Sequence, residues 1–117
     1  MKTIIAGSRN ITTYEYVASA IEACPWKITE VIAGGARGVD TQAVFWAVAT
    51  KIPYRVFPAK WKLYGKVAGR LRNAEMADAA EALIAIWDGR STGTANMLSI
   101  AKSREMPIHL VFYTGKL

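Results

Sequence analysis

Short apolar runs that each end in a glycine loop recur along this chain, and that repeat constrains its fold most. Val31-Ile32-Ala33 leads into Gly34-Gly35-Ala36-Arg37-Gly38-Val39-Asp40. Ile4-Ile5-Ala6 leads into Gly7-Ser8-Arg9-Asn10, and Leu83-Ile84-Ala85-Ile86 into Trp87-Asp88-Gly89-Arg90-Ser91-Thr92-Gly93-Thr94. Nearly continuous apolar runs of this length suit parallel strands covered on both faces. Glycines let the backbone approach a ligand closely and turn its N–H groups inward. A helix starting directly after such a loop adds the positive end of its dipole.

The segments between the runs read as helices. Strands are predicted over Lys2–Ala6, Thr29–Ala33, Tyr54–Phe57, Ala82–Ile86 and Ile108–Phe112. Thr12-Thr13-Tyr14-Glu15 has the pattern of a capping box with Thr12 at the cap. The helix it opens carries Tyr14, Val17, Ala18 and Ile21 on one face and stops at Pro25. A second helix runs from about Asp40 to Thr50 with Val44, Phe45 and Val48 inward. Pro58–Tyr64 reads as an irregular basic, aromatic loop, followed by helices over about Gly65–Ala79 and Thr94–Arg104.

Strands alternating with helices imply right-handed crossovers. The expected architecture is α/β, a single Rossmann-like doubly wound domain over residues 1–117 with a mainly parallel five-stranded sheet. Ligands of such sheets bind beyond the carboxyl ends of the strands, where the strand order reverses. With a Rossmann-like order, strands one and four flank that point. The loops at Gly7–Asn10 and Asp88–Thr94 then face each other, with Gly34–Asp40 alongside.

At 117 residues and 52% hydrophobic, the chain can bury a core without disulfides. Cys24 is the only cysteine, so no internal bridge forms and a reducing cytoplasm is the expected setting. The chain starts directly in a strand, so no signal peptide is expected, and no apolar run approaches the ~20 residues of a membrane span. With no Cys/His cluster, neither a metal nor a cofactor is expected. His109 lies in an apolar strand and reads as a packed residue. The formal charge of +6 favours an anionic partner. Lys60, Lys62, Lys66, Arg70 and Arg72 share a stretch without an acid, and Arg9, Arg37 and Arg90 each sit in a glycine loop.

Particular side chains suggest particular contacts. Backbone N–H groups at Gly93 and Thr94, with the hydroxyls of Ser91 and Thr94, form a candidate phosphate seat; Ser91 or Thr92 would otherwise serve as a helix cap. Arg72 can fork onto phosphate oxygens, or pair on the surface with Glu75 or Asp78. Arg9 suits phosphate or carboxylate recognition. Asp40 suits ribose hydroxyls or a helix cap, and Asp88 a sugar contact or a hold on a loop arginine. Trp87 and Trp61 can stack on a base, whereas Trp46 and Trp26 read as packing residues.

Taken together, Gly7-Ser8-Arg9, the Gly34–Asp40 loop, Phe57-Pro58-Ala59-Lys60-Trp61, Gly65-Lys66-Val67-Ala68-Gly69, Arg72-Asn73-Ala74-Glu75-Met76 and the Trp87–Thr94 loop resemble the SLOG superfamily. Within it the chain is similar to the small stand-alone YspA-like proteins of bacteria and their phages. The resemblance covers almost the whole chain. It implies binding of nucleotides or nucleotide-derived molecules, with Gly7, Ser8, Arg9, Gly34, Gly35, Arg37, Gly38, Asp40, Arg72, Asn73, Trp87, Asp88, Ser91, Gly93 and Thr94 as ligand contacts. The enzymatic relatives are the LOG-type phosphoribohydrolases, which cut the N-glycosidic bond of nucleoside monophosphates. Their signature joins R-K-x-x-M to P-G-G-x-G-T-x-x-E. Here Asn73 replaces the lysine and Met97 stands at the glutamate position. Glycosidic cleavage builds positive charge on the sugar that a carboxylate stabilises and a thioether does not.

Three functions compete. The first is non-catalytic binding of a nucleotide or nucleotide-derived signal at the strand ends. The alternative from the enzyme class is a LOG-like N-glycosidase that uses Arg72 with Asp40, Asp88 or Glu75. The third is single-stranded nucleic-acid binding, suggested by Lys60, Trp61, Lys62, Tyr64 and Lys66 and by kinship with DNA-processing proteins. No membrane partner is expected, and an exposed apolar helix face permits a homo-oligomer.

Overall fold

In the computed structural model, which describes residues 1–115, five strands form one parallel sheet. They are β1 (Lys2–Gly7), β2 (Glu30–Ala33), β3 (Tyr54–Val56), β4 (Ala82–Trp87) and β5 (Ile108–Phe112), in the order β3-β2-β1-β4-β5. Every neighbouring pair is parallel, and β1 lies between β2 and β4. The order reverses between β1 and β4, as expected for a Rossmann-like sheet.

Successive strand residues point to opposite faces, so each apolar run feeds two cores. Ile5, Val31, Ile84 and Ile86 pack on one face with Val17 and Ile21 of α1 (Tyr14–Glu22) and Ala43, Trp46 and Ala47 of α2 (Val39–Thr50). Ile4, Ile32, Leu83 and Ala85 pack on the other with Met76 and Ala77 of α4 (Ala68–Ala79) and Met97, Leu98 and Ala101 of α5 (Thr92–Ser103). Both faces are filled, which leaves the strand ends as the place for a ligand. No helix among the described residues is long and apolar enough to cross a membrane.

Several details depart from expectation. The cap of α1 is Thr13, and no side chain caps that helix, so the Thr12–Glu15 box does not form. Helix α2 turns Val39, Ala43, Trp46 and Ala47 to the sheet and leaves Phe45 and Val48 exposed. Its apolar residues run almost unbroken from Ala43 to Ala49, so their spacing carries no phase. The phase comes from small Ala43 and Ala47, which permit close approach to the sheet. Trp61–Tyr64 is a short helix, α3, rather than irregular loop. Gly65, at φ 60°, breaks it from a 3-10 turn, so α4 starts only at Ala68. Helix α5 starts at Thr92 with Ser91 as its cap residue.

Two glycines let the loops at the strand ends close on one another. A Cβ at Gly7 would lie 2.1 Å from the Ile86 carbonyl oxygen and 2.5 Å from Val39 Cγ2. A Cβ at Gly38, whose φ is 75°, would lie 2.5 Å from the carbonyl oxygens of Ser8 and Arg9. Gly93 has nothing within 4 Å of that position. Gly7→Ala and Gly38→Ala are therefore expected to destabilise the fold by about 2–4 kcal/mol each, and Gly93→Ala by less than about 1 kcal/mol. Urea unfolding of the three variants measures this; equal losses at all three would refute the close packing of the loops.

Candidate functional site

The carboxyl ends of the central strands open into a hollow of about 460 Å³. Four of the buried polar side chains, Ser8, Asp40, Asn73 and Thr94, belong to the loops and helix turns that form this end. A buried polar atom left without a partner costs about 1–3 kcal/mol, and local bonds meet that demand. The Asp88 amide donates to Ser8 Oγ at 3.0 Å, and the Ala36 amide donates to Asp40 Oδ2 at 3.1 Å. Asn73 Nδ2 donates to the Gly93 carbonyl at 3.2 Å and to Asn96 Oδ1 at 2.9 Å. Thr94 Oγ1 donates to Ser91 Oγ at 3.3 Å.

Arg72, in the second turn of α4, reaches inward across the sheet's edge. Its Nη1 donates to the Gly34 carbonyl and, at 3.3 Å, to the Phe57 carbonyl; its Nε donates to Asn73 Oδ1 at 3.0 Å. The surface ion pair with Glu75 or Asp78 does not form, and Asp78 pairs with Arg104 instead. Burial lowers the guanidinium pKa of Arg72, Asp40 opposes that shift, and the like charge of Arg9 adds to it. A Cβ at Gly34 would meet the ends of the Arg72 and Asp40 side chains, so a larger residue there would displace both.

Asp40 is 6% exposed and lines the hollow. It lies inside the first turn of α2, whose cap residue is Gly38, so Asp40 is not the cap. Burial pushes its carboxyl up to about 6, against the Ala36 amide, the Arg72 charge, the Gly34 amide and Arg9, which all pull it down. Oδ2 is held by the Ala36 amide, whereas Oδ1 has no hydrogen bond among the described residues. No buried side-chain polar atom there lacks a partner, so Oδ1 is open to solvent.

Asp88 shapes the facing loop. Its Oδ1 accepts the Arg90 amide at 2.8 Å and the Ser91 amide at 2.9 Å. Those bonds hold its carboxyl below the usual carboxylate range. The turn delivers the chain into α5, where the amides of Thr92, Gly93 and Thr94 carry no hydrogen bond among the described residues. All three residues line the hollow, so the positive end of the α5 dipole opens on it.

The structure thus brings Gly7, Arg9, Asp40, Arg72, Asn73, Ser91, Gly93 and Thr94 around one hollow. Gly34 and Gly35 line a smaller adjoining one of about 130 Å³ that shares Arg9 and Arg72. Ser8, Arg37, Gly38, Trp87 and Asp88 line neither. The Ser8 hydroxyl accepts the Asp88 amide, the Asp88 carboxylate is spent on its own loop, Gly38 lies under the Arg9 backbone, and Arg37 is exposed. The Trp87 ring leans on Phe112 at 5.8 Å, and its Nε1 donates to the Ser91 carbonyl at 3.0 Å. Trp61, half exposed, walls both hollows instead.

Lys66, Arg70, Asn96 and Met97 also line the large hollow. The acid-free stretch around Lys66 and Arg70 was the available signal for the first two; Asn96 had none beyond its place one turn after Gly93. Met97 is buried in the core beneath the site. Asp40 is the one carboxylate in the lining, because Asp88 and Glu75 lie outside it. Among the described residues, Arg9, Lys66 and Arg70 have no carboxylate within ion-pair distance.

The Asp40 carboxyl gives a pH signature. Its folded pKa of about 6 exceeds the unfolded ~3.9, so between those values the folded chain keeps a proton that the unfolded chain has released. This group's contribution to stability is therefore lost as pH rises from about 4 through about 6. Asp40→Asn does not titrate. Relative to the native protein it is expected to gain on the order of 2 kcal/mol between about pH 4 and about pH 7.5. Urea unfolding at both pH values tests this, and a pH-independent difference would contradict the buried carboxyl.

Comparison with known proteins places this geometry in a family. A model of the YspA, cpYpsA-related SLOG family matches residues 1–64. The Gene 61 protein of Mycobacterium phage D29 is 34% identical over 117 aligned residues, covering 92% of this chain and 93% of that one. Among solved structures, the X-ray structure of DNA processing protein A (DprA) from Streptococcus pneumoniae matches with a TM-score of 0.74 at 16% identity. That match covers 92% of this chain and 48% of DprA, so the chain spans about half the length of that protein, and the likeness is one of fold. By the family match and the phage relative, the chain belongs to the YspA, cpYpsA-related SLOG family.

Proposed function

We propose that the protein binds a nucleotide or nucleotide-derived small molecule in the large hollow without turning it over. The observation that carries the reading is the convergence on one hollow of Arg9, Arg72, Lys66, Arg70 and the free amides at the start of α5. The phosphate sits at Gly93 and Thr94, where backbone donors and the helix dipole favour negative charge. Arg9 and the unpaired Nη2 of Arg72 reach its remaining oxygens. A hollow of about 460 Å³ falls within the common range for small-molecule sites, ~300–1,000 Å³. Met97 supplies no charge to a developing oxocarbenium ion, so the site recognises rather than cleaves.

Calorimetry against a panel of nucleoside mono- and diphosphates, cyclic dinucleotides and ADP-ribose derivatives tests the proposal. At least one is expected to bind saturably, without release of free base. Arg9 is exposed and makes no hydrogen bond through its side chain among the described residues. Arg9→Gln should therefore weaken that binding about tenfold or more, as loss of a charge-assisted hydrogen bond does, and leave the melting temperature unchanged. No binding across the panel would overturn the proposal.

A second reading has its own observation. Lys60, Lys62, Lys66 and Arg70 are exposed, have no carboxylate within ion-pair distance, and alternate with exposed Trp61 and Tyr64. Such a surface suits single-stranded nucleic acid, with bases stacked on the rings and phosphates on the cations. If this reading holds, oligothymidylate binds with an affinity that falls steeply with salt, and Lys60→Ala with Lys62→Ala flattens the slope by about two. Fluorescence anisotropy measures both, and salt-independent or absent binding removes the reading.

A further inference from the structure

We infer that Asp40 makes the hollow selective for a ribose phosphate over its 2-deoxy counterpart. The inference rests on the anion-binding reading and names the class of sugar that the same site takes. A pocket meant for phosphate alone gains nothing from a buried acid, because like charges repel at close range. Yet the one carboxylate in this lining is 6% exposed and shares the hollow with Arg9, Arg72 and Thr94.

The bonding of Asp40 says what it lacks. Oδ2 accepts the Ala36 amide and lies against Gly34. Oδ1 accepts nothing among the described residues and is not sealed from solvent. It is therefore an acceptor that calls for a hydrogen-bond donor from the ligand. Two neighbouring side chains, Asn73 and Thr94, are already engaged. The Asn73 amide nitrogen spends both protons on Gly93 and Asn96, and the Thr94 hydroxyl donates to Ser91.

A fully ionised phosphate has no donor to offer. The sugar attached to it does, and vicinal hydroxyls can both point at one carboxylate oxygen or straddle the pair. With the phosphate on the α5 amides, the sugar is the neighbouring part of the ligand and the part that brings hydroxyls. A site that hydrogen-bonds a hydroxyl discriminates strongly against an analogue without it, because its own polar group is then left unpaired.

Ribose 5-phosphate and 2-deoxyribose 5-phosphate differ by one hydroxyl and carry no base, so they isolate this contact. Inorganic phosphate serves as the reference. In competition calorimetry with the full chain, ribose 5-phosphate is expected to bind about 10- to 100-fold more tightly than the deoxy sugar. In Asp40→Ala the gap closes to within about threefold, while phosphate binding is kept or strengthened. If the alanine variant does not fold, Asp40→Asn keeps the shape and narrows the gap by about fivefold or more. Equal affinity for the two sugars, with phosphate bound, would overturn this inference and leave the anion-binding reading intact. A gap that survives both substitutions would overturn it as well, by assigning the discrimination to another residue. No binding of phosphate or of either sugar would overturn both readings together.

Discussion

The arrangement at the strand ends depends on one half-buried guanidinium. Arg72 donates to the carbonyls of Gly34, just past β2, and Phe57, just past β3, while its Nε holds Asn73. Asn73 in turn grips Gly93 and Asn96 on α5. Two successive residues of α4 thus join β2, β3 and α5 around the hollow. Burying a charge costs several kcal/mol unless hydrogen bonds and an opposite charge offset it. Three acceptors and the nearby Asp40 do so here. The positive character of the hollow and the positions of its walls consequently share one cause.

That arrangement needs the parallel sheet beneath it. Because every strand runs the same way, every strand-to-helix loop emerges on one edge. The two faces are closed by separate apolar cores, so polar side chains with no place there collect at that edge. The reversal of strand order at β1 and β4 then parts the helices above the edge and leaves room for a ligand. Gly7 and Gly38 let the first two loops close on each other, and the Ser8 hydroxyl receives the Asp88 amide from the third. The three loops are bonded or packed to one another, so the fold itself holds the hollow in shape.

The inner strands β1, β2 and β4 were legible in the sequence because a doubly covered parallel strand is a nearly continuous apolar run. Helix α2 shows the limit of the same signal. Its apolar residues form no stripe, so the face it buries is decided by which side chains are small enough to approach the sheet. The break at Gly65 was written in the chain as a glycine, but whether that glycine adopts positive φ depends on how the segment docks. That Arg72, Asn73, Gly93 and Thr94 share one hollow was legible because motif and helix position agree. Trp87 and Asp88 do not line the hollow, for a local reason. The last residue of a strand can face either layer, and a carboxylate in a turn can serve the turn before any ligand. Asp88 binds two amides of its own loop, and Trp87 follows the β5 side toward Phe112.

The exchange at position 97 changes what the remaining carboxylate can do. A glutamate there would project from the inner face of α5, next to the amides that suit a phosphate. Met97 instead packs into the core under the hollow, and the carboxylate in the lining is that of Asp40, on α2 across the sheet's edge. Asp40 is tethered by the Ala36 amide and influenced by two guanidinium groups, and above about pH 6 it is ionised with one oxygen free. A tethered acceptor of that kind is suited to holding a hydroxyl in a fixed orientation. That oxygen lies among the groups on which the proposed binding of a ribose phosphate rests.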